Sequence, residues 1–380
     1  MMKKTLVQYL GDIEDYRSGN AIDHKLIDIL VIAILGVLCG ADGWTEIQLF
    51  GESKKKWLKT FLDLPNGIPS HDTFGRVFAR IDPEQFHNSF VEWVQSLSEI
   101  MKGQVVSIDG KTARGTKDKA KGKRAIHVVS AWANANKLVL GQRKIDDKSN
   151  EITAIPELLR MLDVSGCIVT IDAMGTQKTI AKEIIDGGAD YVLSLKKNQG
   201  TLYEDVELFF KEEVLPQPKD ELKEKQQYFH TLDKDHGRLE KREYYVIDDI
   251  DWLSQRSAWP ELQGIGLSVL TRTVGETTSV EYHYDIHSIK DCTAEAFGKY
   301  KRSHWGIENS LHWVLDIAFR EDESRCREGN SAENLNILRH MTLNLLKQEQ
   351  SCKRGIKAKR LLCGWDTAYL TKVLGLVDQL

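Results

Sequence analysis

Val105-Val106-Ser107-Ile108-Asp109-Gly110 is a short apolar run that ends in an aspartate, and Ile168-Val169-Thr170-Ile171-Asp172-Ala173 repeats the pattern further along. Short β-branched runs bounded by turn residues read as buried strands, so each aspartate is expected at a strand end. Far downstream, Ser303-His304-Trp305-Gly306-Ile307-Glu308-Asn309 sets a glutamate in a tryptophan-rich helical stretch. Strand-end carboxylates plus a helix-borne carboxylate are the donors that a two-metal phosphoryl-transfer site requires. Mg²⁺ prefers hard oxygen ligands, and two such ions roughly 4 Å apart activate a hydroxyl and stabilise the leaving oxygen. Singly, the residues say little: Asp109-Gly110 also reads as a turn, Asp172 as a helix cap and Glu308 as a surface helix residue. Their combination is far more specific.

The segments around these runs supply an order. A strand over Val105 to Ile108 is followed by a hairpin, 126–132 and 137–142, turning at Asn134-Ala135-Asn136. A helix over 155–162 follows, with Pro156 in its first turn. Then come a strand over 167–171, a helix over 178–186 stopped by Gly187-Gly188, and a strand over 190–195. This β-β-β-α-β-α-β order is the ribonuclease H-like layout, in which the first and fourth strands are neighbours and Asp109 lies beside Asp172. The expected fold is therefore α/β, a ribonuclease H-like mixed sheet in several segments. Residues 1–98 form a helical N-terminal domain, 103–214 the first part of the core, 215–290 a β-rich insertion, and 291–380 the helical completion with C-terminal helices. Within 1–98, Leu26 to Val37 form an apolar helical stripe, Trp44 to Leu62 a second helix, and Ser70 caps a third through Ile81. DNA binding through a helix-turn-helix and a packing or dimerisation role fit that domain equally, and no recognition helix can be named.

The 380 residues allow two or three domains. Hydrophobic and charged fractions of 41% and 28% match a soluble globular chain. A net charge of −4 argues mildly against a nucleic-acid partner, but distribution outweighs the sum. Three basic stretches stand out: Lys54-Lys55-Lys56 with Lys59, Lys111 to Arg124, and Lys353 to Arg360. The middle one begins two residues after Asp109, so Lys111 and Arg114 count as candidate DNA contacts; a solvated loop is the bland alternative. The six cysteines form no CxxC pair or zinc spacing and read as reduced thiols of a cytosolic protein. No signal peptide is expected, and Leu26 to Cys39 is too short to span a bilayer.

Five motifs then carry a resemblance: Ile-Asp-Gly-Lys at 108–111, Thr-Ile-Asp-Ala at 170–173, Leu-Lys-Lys-Asn-Gln at 195–199, His-Gly-Arg-Leu-Glu-Lys-Arg at 236–242 and His-Trp-Gly-Ile-Glu-Asn-Ser-Leu-His-Trp at 304–313. Over nearly its whole length the chain resembles the DDE transposases of bacterial insertion sequences, in particular the group that includes the H-repeat-associated proteins of enterobacteria. The resemblance implies Mg²⁺-dependent DNA cleavage and strand transfer, with Mn²⁺ as a substitute. It also implies double-stranded DNA partners (transposon ends and target), a homodimer or larger assembly on DNA, and a bacterial, nucleoid-associated location in the cytoplasm. Asp109, Asp172 and Glu308 become the metal-binding triad. One departure stands out. Related transposases with a β-rich insertion carry Arg four residues before the glutamate and Lys seven after it; here those positions are His304 and Leu315.

Around the triad, His304, Glu308 and His312 are expected on one helical stripe at spacing four, where the histidines contact phosphate or a metal. His236, Arg238 and Arg242 read as a DNA-facing strip, with a salt-bridged strand as the alternative. Lys196, Asn198 and Gln199 follow the fifth core strand as phosphate or strand-positioning groups, with a plain polar loop as the alternative. Trp305 and Trp313 read as core residues, base stacking being the less favoured role. Two other functions remain open on this sequence: a ribonuclease H-like nuclease that cleaves without joining, and an immobile DNA-binding descendant of a transposase.

Overall fold

The computed structural model describes residues 4–19, 22–97, 102–146, 149–235 and 237–375. Five helices come first: α1 (Leu6–Leu10), α2 (Leu26–Leu38), α3 (Trp44–Leu58), α4 (His71–Arg80) and α5 (Pro83–Leu97). Next come β1 (Val105–Thr112), β2 (His127–Ala133), β3 (Leu138–Lys144), α6 (Glu151–Met161), β4 (Ile168–Ile171), α7 (Lys178–Asp186) and β5 (Asp190–Leu195), in the expected β-β-β-α-β-α-β order. After α8 (Gly200–Phe209) and α9 (Lys219–Glu224) follow β6 (Tyr228–Asp235), β7 (Arg238–Ile247), β8 (Gly264–Val274) and β9 (Thr277–His287). The chain closes with α10 (Ala294–Ile307), α11 (Trp313–Phe319), α12 (Ser331–Gln348), α13 (Ile356–Trp365) and α14 (Thr367–Val373).

β1, β2 and β3 pair antiparallel, and β4 and β5 add parallel to β1. The core strands thus have the ribonuclease H-like arrangement. The β-rich segment does not form a sheet of its own. β9 pairs antiparallel with the outer edge of β5, Val192 opposite His287, and one nine-stranded sheet results in the order β3-β2-β1-β4-β5-β9-β8-β7-β6. An unpaired β5 edge would expose a row of backbone donors and acceptors, and the inserted strands satisfy it.

Two helix boundaries differ from the sequence reading. α3 stops at Leu58 rather than Leu62, and Leu64 just beyond adopts a positive φ of 42° that no helix continues through. α6 starts at Glu151, one turn earlier than expected, because Asn150 and Thr153 form a capping box. Pro156 therefore lies in the second turn.

α12 is the hub of the helical layer. Fifteen of its residues are buried, among them Asn334 and Asn344. Asn334 Nδ2 donates to the carbonyls of Phe78 and Ile81 at 2.8 and 3.1 Å. Asn344 exchanges two hydrogen bonds of 2.9 Å with the backbone of Val139 on β3. One hydrophobic cluster runs from Leu10 and α2, which is apolar but for glycine and the buried Asp28, through the sheet to Val373. Among the described residues no helix is long and apolar enough to cross a membrane. All six cysteines are free thiols.

α10 lies close against the inserted strands because two positions lack side chains. A Cβ on Gly266 of β8 would stand 2.4 Å from Phe297 Cζ, and one on Gly298 of α10 would stand 2.7 Å from Tyr244 Cδ2. Phe297 is fully buried there. Gly266→Ala should therefore overpack this contact and lower stability by about 1–3 kcal/mol, read as a shifted midpoint in urea unfolding. An unchanged midpoint would mean that α10 has room to lift off the insertion.

Candidate active site

The parallel pairing of β1 with β4 ends at Ile108 opposite Ile171. Beyond it β1 continues to Thr112 against β2 alone, with Asp109 opposite Ser130. Asp109 therefore sits within a strand rather than at its end, and Asp172 is the first residue past β4. The two carboxylates flank the point where the parallel strands part, the usual place for a ligand in such sheets. Asp172 Oδ1 accepts the backbone N–H of Met174 at 3.0 Å and that of Gly175 at 3.5 Å, capping a single 3₁₀ turn. That turn is braced from the turn that follows β5: Asn198 Nδ2 donates to Ala173 O at 2.7 Å and Gln199 Nε2 to Thr176 O at 2.6 Å. Asn198 and Gln199, expected on DNA, thus direct their amides into the loop that carries Asp172.

Glu308 arrives on a helical arm laid across β1. α10 and α11 are joined by a π-helical turn over Glu308–His312, a distortion common at functional sites. In a regular helix of about 100° per residue, positions 304 and 312 would differ by about 80°. The π turn absorbs one residue, so the two histidines face the sheet about 20° apart instead. The expected single stripe accordingly splits. His304 and His312 turn inward and Glu308 is exposed. His304 Nδ1 lies 3.0 Å from Thr170 Oγ1, and His312 Nδ1 lies 3.5 Å from Asp109 Oδ2. Burial pushes both imidazoles down, to about 3 and about 4. Trp305 and Trp313 are not core residues: they are 56% and 60% exposed. His304 and His312 take the sheet side, and the residue after each, Trp305 and Trp313, points outward.

Asp109, Asp172 and Glu308 line one cavity, together with Lys196, Lys197, Arg238, Arg242, His304 and Trp305. Burial, and then the negative charges of Asp172, Glu151 and Glu308, push the Asp109 carboxyl up to about 7, against the Gly110 N–H that donates to Oδ1 at 2.9 Å. Glu151 is a contributor that the sequence reading missed. Its Oε1 lies 2.7 Å from His127 Nε2, and His127 Nδ1 lies 2.7 Å from Thr112 Oγ1. Both side chains pack over Gly110, where a Cβ would stand 2.3 Å from Glu151 Oε1. Only the glycine after Asp109, in Asp-Gly-Lys, hinted at so close an approach. Among the described residues, no three His, Cys, Asp or Glu side chains already converge tightly enough to hold an ion.

The basic candidates divide. Lys111 is enclosed by carboxylates, with Nζ 2.7 Å from Asp316, 3.0 Å from Glu321 and 3.5 Å from Asp322. Burial opposes the charge on Glu321, but Lys111 and Arg339 outweigh it and hold its carboxyl below the usual range. Lys111 is thus an internal counter-ion. Arg114 is exposed and lies 3.5 Å from Asp322. Arg238 pairs with Glu240 at 2.8 Å, and Arg242 with Glu240 and Asp233, so the strip is both salt-bridged and turned into the cavity. Lys196 and Lys197 are exposed. His236 lies outside the described residues.

Two family models cover most of the chain. One described as "DDE_Tnp_1-associated" matches residues 7–94, and one described as "Transposase DDE domain" matches residues 100–345. The chain belongs to the DDE transposase family. Its relatives include YncI of Escherichia coli O157:H7, 42% identical over all of this chain and 97% of that protein. Another is the H repeat-associated protein YhhI of Escherichia coli K12, 40% identical with 98% of each chain covered. Among solved structures, a cryo-EM piggyBac transposase synaptic complex with hairpin DNA matches with a TM-score of 0.43 and 11% identity, over 97% of this chain and 76% of that one.

The charge crowding in this DDE transposase family member has a thermodynamic signature. A carboxyl raised in the folded state is destabilising once ionised. For Asp109 that cost is absent below about pH 4, grows between about 4 and 7, and is complete above 7. The gap corresponds to at most about 4 kcal/mol, reduced by partial exposure. Without divalent metal, Asp109→Asn should therefore melt higher than the wild type at pH 8 and level with it near pH 4. A mutant that gains nothing at pH 8 would show that burial and the surrounding carboxylates exert no such pressure.

Proposed function

We propose that this chain is a metal-dependent DNA transposase that cleaves at the ends of an insertion sequence and transfers the freed 3′-hydroxyl to target DNA. The supporting observation is that Asp109, Asp172 and Glu308 share one cavity in which Asp109 is pushed to about 7 by burial and like charge. Three carboxylates are the donor class that Mg²⁺ selects, and a divalent charge would relieve the repulsion that burdens Asp109. When bound, a pair of Mg²⁺ or Mn²⁺ ions supplies an activated water or hydroxyl and stabilises the leaving oxygen.

The protein groups then divide the remaining work. Asp109 and Asp172 offer oxygens from adjacent strands, and Glu308 closes the cavity from the helical arm. The Met174 and Gly175 N–H groups fix one oxygen of Asp172 and so aim the other. Lys196 and Lys197 meet backbone phosphates beside the triad, and Arg238 and Arg242 do so from β7. Their guanidiniums are already oriented by Glu240 and Asp233, which lowers the ordering cost when DNA arrives. Trp305, exposed at the rim of the cavity, offers a stacking face to an unpaired base. The helical segment over residues 1–98 serves DNA binding or dimerisation in an assembly of at least two subunits on double-stranded DNA, at the bacterial nucleoid.

The decisive assay uses a labelled duplex carrying the native flanks of the gene, with wild type beside Asp109→Asn. Wild type should nick and join in Mg²⁺, and the variant should lose at least about 10³-fold, roughly 4 kcal/mol of transition-state stabilisation. Cleavage without joined products would leave a nuclease. Binding without cleavage in Mg²⁺ or Mn²⁺ would leave an immobile DNA-binding descendant.

A further inference from the structure

The three carboxylates stand on separate elements, and backbone pairing links only two of them. β1 and β4 are hydrogen-bonded neighbours, whereas the arm carrying Glu308 rests on the sheet through side chains. Two histidines, each four residues from Glu308, make polar contacts there. His304 reaches Thr170, two residues before Asp172, and His312 reaches Asp109 itself. Each aspartate strand is thereby tied to the glutamate arm by one imidazole.

The directions of the hydrogen bonds fix which nitrogen works. Asn134 Nδ2 donates to Ser107 Oγ at 2.8 Å and Thr170 Oγ1 donates to it at 3.1 Å, while Ser107 Oγ donates to the Ser303 carbonyl of the arm at 3.4 Å. Having given its one proton to Ser107, the Thr170 hydroxyl is an acceptor toward His304, so His304 carries its proton on Nδ1. His312 also presents Nδ1, here to a carboxylate, which only accepts when ionised. Its Nε2 is buried away from solvent with no hydrogen-bond partner among the described residues. Both rings make their polar contacts on the sheet side of the arm, and the π turn is what brings both there.

Resting on the transposase reading, we propose that His304 and His312 are positioning residues of the reaction. Through Nδ1 they hold the Glu308 arm in register with the Asp109 and Asp172 strands, and they act on the metal site without contacting DNA. Partners of metal-binding side chains commonly change metal affinity or activity by about 10–100-fold when removed.

The test compares two amides of equal polarity. Asn places its side-chain nitrogen near the position of Nδ1, and Gln places it near Nε2. Mn²⁺ affinity is measured by calorimetry on the full chain without DNA, DNA affinity by anisotropy without divalent metal, and folding by thermal melts. His312→Gln and His304→Gln should weaken Mn²⁺ binding about 10–100-fold and leave DNA affinity within about twofold. His312→Asn and His304→Asn should restore most of the Mn²⁺ affinity. Equal behaviour of Asn and Gln at matched melting temperatures overturns the proposal. So does a loss of DNA affinity with Mn²⁺ binding intact, which would make the histidines DNA contacts. A wild type that neither binds Mn²⁺ nor cleaves overturns the transposase reading and this proposal with it. An active wild type with fully active Gln variants overturns this proposal alone.

Discussion

The inward charge of Lys111 is the contact on which the rest of the site depends. Alternate residues of a strand share a face, so Ser107, Asp109 and Lys111 all look toward the helical arm. The arm answers with the Ser303 carbonyl, His312 and Asp316 in turn. At the end of this series Lys111 neutralises Glu321, whose side chain is 1% exposed and also contacts Arg339 and Asn336. Breaking such a buried pair by removing one partner is strongly destabilising, so the arm stays docked at its far end. Asp109 lies between two fixed points and can be crowded by like charge without the arm lifting away.

The split of labour among the cations follows from the same demand. A sheet that gathers Asp109, Asp172, Glu151 and Glu308 near one place needs positive charge inside as well as outside. Lys111 and Lys301 supply it from within, Lys301 bonding the fully buried Asp285 at 2.6 Å and Ser194 at 2.9 Å. Lys359 and Arg360 of the C-terminal basic run are also buried, donating to backbone carbonyls of Leu346 and Val37 among others. Basic runs in the sequence therefore overstate the positive charge offered to a partner.

Much of this was legible before the structure. The apolar runs around Asp109 and Asp172 have strand length and strand composition, and the order of elements alone made their strands neighbours. Local pattern could not reveal what depended on distant packing. Nothing near Trp305 indicates that His304 and His312 take the sheet side, because that choice follows from one extra residue absorbed in a π turn. Nothing near Lys111 indicates Glu321, two hundred residues away. The β-rich character of residues 215–290 was clear from composition, but its fusion to the edge of β5 is a long-range pairing that alternation cannot specify. Glu151 escaped because its influence reaches Asp109 through space and through the missing side chain of Gly110.

The shared hub helix sets a timetable for synthesis. α2 is buried on nearly every side and packs against α12, whose first residue follows the end of α2 by roughly three hundred positions. At about 5–20 residues per second, a ribosome takes roughly 15–60 s to cover that interval. Throughout it α2 can pack on α1 and α3 but lacks α12, and Lys111 on β1 still waits for Glu321. The nascent chain must be kept from aggregating while most of its length is made, and Asp109, Asp172 and Glu308 cannot come together until most of the polypeptide has emerged.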